Sequence, residues 1–163
     1  MAMKKLALCC AVILFFSDLS SAQDKVEISL KNRSESETQT KERLEKLLQR
    51  HNVSKWVFTR KIIIEDNVIP HSHPVLTLST RDDGDRLLAT FVHEQIHWFL
   101  VENAERTEKA KTELRAAYPK VPVGRPDGAR DEESSYLHLI VNYLEYQAMR
   151  ELVGDARAKE VFE

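Results

Sequence analysis

The spacing of apolar positions changes several times along this chain, and each change predicts an element. Val26, Ile28 and Leu30 alternate with charged or polar neighbours, the period of a half-buried strand. A polar turn follows over Asn32 to Thr38. From Glu37 to His51 the residues Leu44, Leu47 and Leu48 recur at helical spacing while Lys41 and Glu45 face outwards. Trp56 to Ile64 is rich in β-branched and aromatic residues and predicts a strand. Val75 to Ser79 predicts another, with a turn-rich loop, Asn67 to Pro74, between the two. Leu87, Leu88, Phe91, Val92, Ile96, Trp98, Phe99 and Leu100 then make a helix that is apolar nearly all round, which predicts burial. Asp82, Asp83 and Asp85 bring N-cap candidates and negative charge to its start.

Past this helix, Glu102 to Ala117 predicts a charged, largely solvated helix. Tyr118 to Arg130 is broken by Pro119, Pro122, Gly124, Pro126 and Gly128 and predicts a loop. Asp131-Glu132-Glu133 opens a long helix that runs to about Leu152 and is closed by Gly154, with one more short helix over Asp155 to Glu163. The expected fold class is α+β: a small N-terminal sheet, a helix packed with it, and two buried helices later in the chain.

The first residues are of another kind. Lys4 and Lys5 precede the apolar run Leu6 to Phe16, and Ser20-Ser21-Ala22 offers the small residues a signal peptidase needs. That run is shorter than the roughly 20 apolar residues of a membrane span. The expected organisation is therefore a signal peptide over 1–22 and a single domain over 23–163, secreted or periplasmic, with no stable membrane insertion once the signal is removed. Both cysteines, Cys9 and Cys10, fall in the leader. The expected mature domain has no disulfide and must be held by its core. A formal net charge of −2 with interspersed signs excludes nucleic acid or an anionic membrane as the expected partner. Asn32-Arg33-Ser34 and Asn52-Val53-Ser54 fit the glycosylation sequon, which matters only in a eukaryotic host.

Candidate chemistry lies inside the apolar helix. His93, Glu94 and His97 form H-E-x-x-H, and one helical turn between the histidines puts both imidazoles on one face with the carboxylate beside them. Enclosing three such groups costs several kcal/mol unless they are bonded, and a metal ion with its water satisfies all three. The long helix over Glu132 to Leu152 is also apolar around most of its circumference. Ser134, His138, Asn142 and Glu145 nevertheless fall within about 80° of one another on it. Two buried helices, each with one polar stripe, are most simply explained if the stripes face each other across an ion. His138 and Glu145 stand about 10 Å apart along the helix, so which of them completes the site is open. Glu132 and Glu133 read as helix N-terminal charges, and His51 as a cap compensating a helix dipole. His71-Ser72-His73 is a second candidate pair, at the rim of a cleft.

The segment Thr90 to Phe99 resembles the active helix of the zincin metallopeptidases, including the uncharged pair Gln95 and Ile96 and the hydrophobic flanks. It departs from the metzincin branch, because Leu100 stands where that branch has glycine and Asn103 where it has its third histidine. Glu145-Tyr146-Gln147-Ala148 resembles the E-x-x-A segment of gluzincins, the branch that includes thermolysin-like enzymes, although Met149 stands where many of them have aspartate. The resemblance implies a zincin-like fold and one Zn2+ held by His93, His97 and Glu145, with His138 as the alternative third ligand. It implies Glu94 as general base and His138, if not a ligand, as the group that bonds the oxyanion. It further implies a peptide or protein substrate lying along Val75 to Thr80 as an added strand. A non-catalytic metal-binding or interaction domain that keeps the same frame is the alternative function.

Overall fold

Residues 26–163 are described by the computed structural model, and the predicted leader with both cysteines lies outside them. The first element is strand β1 (Glu27–Leu30), whose Ile28 points into the core. Helix α1 (Glu35–Arg50) follows and starts earlier than the apolar spacing predicts. Its start is set by a capping box that apolar periodicity does not register. The Ser34 hydroxyl accepts from Glu37 N–H at 3.1 Å, and the buried Glu37 carboxylate accepts from the backbone and side chain of Asn32 at 2.9 and 3.0 Å.

A short 3-10 turn (Ser54–Trp56) then leads to β2 (Lys61–Glu65). The predicted strand over Trp56 to Ile64 is thus confined to its second half. The reason is the buried Gln95: its side-chain oxygen accepts from Phe58 N–H at 2.7 Å and Thr59 N–H at 2.8 Å, and its amide donates to Thr59 O at 2.8 Å. Backbone groups that a strand would pair with a neighbour are taken by a helix side chain.

Strands β1, β2 and β3 (Leu76–Ser79) form a parallel sheet in that order, with Ile28 opposite Ile62 and Ile62 opposite Leu76. Between β2 and β3 the chain doubles back. His71 bridges Thr77 antiparallel, giving N–H to Thr77 O at 3.1 Å and accepting from Thr77 N–H at 2.8 Å. β3 thus stands at the edge of the three-stranded sheet, buried at every residue, and at Thr77 its outer side is met by His71.

Helix α2 (Gly84–Glu102) packs against β3 and α1, and its Leu88, Phe91, Val92 and Ile96 are fully buried in the core. Its N-cap is Asp83 in extended backbone, without a side-chain capping bond. Helix α3 (Ala104–Ala117) is largely exposed, as expected, with Thr107 and Lys111 its buried residues; Lys111 is ion-paired with Glu133 and with Glu108. Glu133 also pairs with Arg115, so it is committed to a salt-bridge cluster at the start of α4 (Glu132–Val153). Asp131 caps α4 by accepting from Ser134 N–H at 2.7 Å. At the far end Gly154, with φ +86°, turns the chain directly into α5 (Asp155–Phe162). The His51 ring bonds Leu152 O at 2.9 Å, so it serves the C-terminal end of α4 rather than that of its own helix. The described residues form an α+β fold of three parallel strands and five α-helices. None of these helices is long and apolar enough to cross a membrane.

Candidate metal centre

Helices α2 and α4 are packed against one another, and their polar stripes meet in a cleft of about 570 Å³. The cleft is lined by His93, Glu94, His97 and Thr90 of α2, His138 and Glu145 of α4, and the Ile69–His73 segment. The centroids of the His93, His97 and His138 rings stand 5.1, 5.7 and 5.2 Å apart in a near-equilateral triangle. One nitrogen from each ring lies within 4.8 Å of the others. Among the described residues this is the group of histidine, cysteine and acidic side chains placed to hold a metal ion.

Each supporting contact turns a specific nitrogen inwards. Glu145 Oε2 lies 2.8 Å from His93 Nδ1, and since a carboxylate only accepts, Nδ1 carries the hydrogen and Nε2 is left with its lone pair in the neutral ring. The same logic holds for His138, whose Nδ1 lies 2.7 Å from Ser134 O, one turn back along α4. The Nε2 atoms of His93 and His97 face each other at 3.3 Å.

Two nitrogens bound to one tetrahedral zinc, each at about 2.0–2.1 Å, stand about 3.3 Å apart. The α2 pair already has that separation. Burial, reinforced by positive charge on His93, His138 and His73, pushes His97 down to about 3, so it is neutral and able to ligate at neutral pH. For His93 burial opposes the charged form, yet the Glu145 hydrogen bond and the charges of Glu145 and Glu94 outweigh it and raise its pKa. Metal binding competes with protonation there. The donor set fits a divalent ion that favours imidazole nitrogen.

This arrangement shifts the choice of third ligand. Glu145 reaches the back of His93 and not the point on which the three rings converge, and the alternative, His138, stands at that point. Two side chains seven residues apart on one stripe both meet α2, one in the ring triangle and one behind it. Glu94 is buried on the cleft wall. Desolvation pushes it up to about 7, against the lowering influence of His93 and His71, with the Glu145 charge adding to the rise. Of the remaining stripe residues, Ser134 contributes its carbonyl, and Asn142 is exposed.

His71 and His73 both line the cleft, as placed at its rim from sequence. Their segment is fastened to α2: Trp98 Nε1 donates to Ser72 O at 2.8 Å, and the Trp98 ring stacks on His73 with centroids 4.3 Å apart. Two further fixtures escape the apolar pattern. Thr90 donates to Asp82 at 2.8 Å beside the cleft, and Gln95 ties α2 to the chain before β2. A glutamine in the middle of an apolar helix face was the signal for the latter, since a buried amide must find partners.

No protein-family model, curated protein or solved structure matches this chain, so the site stands on its own geometry.

Proposed function

We propose that the protein is a zinc-dependent peptidase of zincin-like type, with His93, His97 and His138 holding the ion and Glu94 as the general base. One observation carries this reading: three imidazoles converge at the wall of an open cleft with a buried carboxylate, Glu94, beside them. Zinc held by three protein ligands would supply an acidified water and a Lewis acid for the substrate carbonyl. Glu94 takes the proton released by the attacking water and passes it to the leaving nitrogen. Its enclosure raises its basicity into the range useful for that transfer. Glu145 holds the His93 ring in place and keeps its hydrogen on Nδ1. The substrate is a peptide or protein segment, and the leader read over Met1 to Ala22 would take the enzyme to the periplasm or the exterior.

The competing function, a metal-holding interaction domain without hydrolysis, uses the same three histidines but gives the buried Glu94 no task. That buried acid on the cleft wall favours the enzyme. The test is a peptide-library digest read by mass spectrometry, with and without chelator, using wild type and Glu94→Gln. The wild type is expected to cleave only when loaded, and Glu94→Gln to bind one zinc per chain while losing turnover by at least about 100-fold. A Glu94→Gln variant that cleaves at the wild-type rate removes the mechanism.

A further inference from the structure

The cleft that holds the three rings is polar on nearly every side. Helix α2 gives it Thr90, Glu94 and two imidazoles, and α4 gives it His138 and Glu145. Apolar lining comes from one place, the neighbours Ile69 and Pro70 on the segment between β2 and β3. Ile69 is also the most exposed large hydrophobic side chain among the described residues, at 70%. None of the others that stand in solvent, Val101, Leu139 and Tyr143 among them, lines the cleft. A lone exposed isoleucine elsewhere on a surface needs no explanation, but here the two properties meet in one residue at the mouth of the site.

We propose that Ile69 is the specificity-determining residue of the cleft, and that it selects peptides carrying a large apolar side chain at one fixed register from the bond that is cut. The inference rests on the peptidase reading above and names its substrate class. A peptide lying across the three rings covers Ile69, and an apolar side chain laid on it removes apolar surface of both partners from water. A polar side chain at the same register gives up hydration against a surface that offers no hydrogen bond. Such selection needs a fixed surface, and the segment is held on both sides of Ile69. Before it, Asn67 O accepts from the Arg81 guanidinium at 2.9 Å and Asp66 accepts from the Thr80 hydroxyl at 3.1 Å. After it, His71 shares two backbone hydrogen bonds with Thr77, at 3.1 and 2.8 Å, and Ser72 O accepts from Trp98 Nε1 at 2.8 Å. Pro70 restricts the backbone next to Ile69, and Ile69 O accepts from the His71 ring at 3.0 Å. A rim also differs from a pocket in what it measures. Ile69 stands at an open lip and covers one face of a bound side chain, so it sets no limit of depth, and leucine, methionine and phenylalanine are accepted alike.

The test gives the full chain, loaded with zinc, a peptide library in which each position around the cleaved bond is varied in turn, and compares kcat/KM at each. At one register the wild type is expected to favour leucine, methionine and phenylalanine over serine and glutamine by about 10-fold or more, with less than about threefold among the apolar three. Ile69→Ser should bring that preference below about threefold at the same register and leave the preferences at other registers as they were. Ile69→Glu should turn the same register towards lysine and arginine. Both substitutions are made at a side chain in solvent, so zinc stoichiometry and the circular dichroism spectrum should match those of wild type. A wild type that cleaves with no apolar preference at any register, or an Ile69→Ser that keeps the wild-type preference, overturns this inference alone. A zinc-loaded wild type that hydrolyses no peptide in the library overturns the peptidase reading and this inference with it.

Discussion

At His93 two partners compete for one ring. Nδ1 is bonded to Glu145 at 2.8 Å and Nε2 faces His97 at 3.3 Å, so the carboxylate decides which nitrogen can ligate. Replacing Glu145 by glutamine keeps the volume and one accepting oxygen but removes the charge. The expected outcome is a loss of about 10–100-fold in zinc affinity with the three histidines intact, read by competition against a chromophoric chelator. Unchanged affinity would mean that the carboxylate is a bystander. The same residue marks the limit of sequence reading. H-E-x-x-H places His93, Glu94 and His97 on one face by helical arithmetic alone, and the structure brings them to one cleft. The choice between His138 and Glu145 depends on how far α4 is shifted along its axis relative to α2. Periodicity fixes the face of a helix and leaves that shift undetermined.

At the scale of elements, the long amphipathic and apolar runs were legible, and the starts of elements were legible only where a polar residue had a known capping role. Asp131 before α4 is such a case; Ser34 with Glu37 before α1 is another, which apolar spacing alone passes over. The confinement of β2 to Lys61–Glu65 depends on a tertiary partner, Gln95, and no local pattern around Val57 to Thr59 announces it. The Asp131 cap can be tested by pH. Hydrogen bonds from Ser134, first its side chain and then its backbone, and the Arg130 contact hold the Asp131 carboxyl down to about 2, below its ordinary 3.8. A carboxyl whose folded pKa is depressed contributes stability that is present above the unfolded value and is lost as pH falls through the folded one. The protection of the Ser134 amide, its exchange rate relative to the intrinsic rate at each pH, should therefore fall between about pH 4 and about pH 2. In Asp131→Asn, which caps about as well without titrating, that fall should be absent. Equal pH profiles in the two proteins would assign the acid sensitivity of this helix end to other carboxylates.

For the molecule as a whole, α2 is the element on which the others converge. It packs against β3 and α1, is tied to the chain before β2 by Gln95, holds the His71 segment through Trp98 and meets α4 at the three rings. A metal at that crossing would join the sheet-bearing half of the core to the C-terminal helices, so its binding should appear in global unfolding and not only near the site. At a free zinc concentration 100 times the dissociation constant, the folded state gains about 2.7 kcal/mol, which for a chain of this size is a rise in Tm on the order of 10 °C. Chelator should reverse the rise as one cooperative transition. The decisive comparison is His138→Ala, which leaves the α2 pair untouched but removes the contribution of α4. It should lose nearly all of the zinc-dependent shift while its metal-free Tm stays close to that of the metal-free wild type, because His138 is only half-buried. A full shift in that variant would locate the ion on α2 alone, and the two helices would then have been brought together by their apolar faces without help from the site.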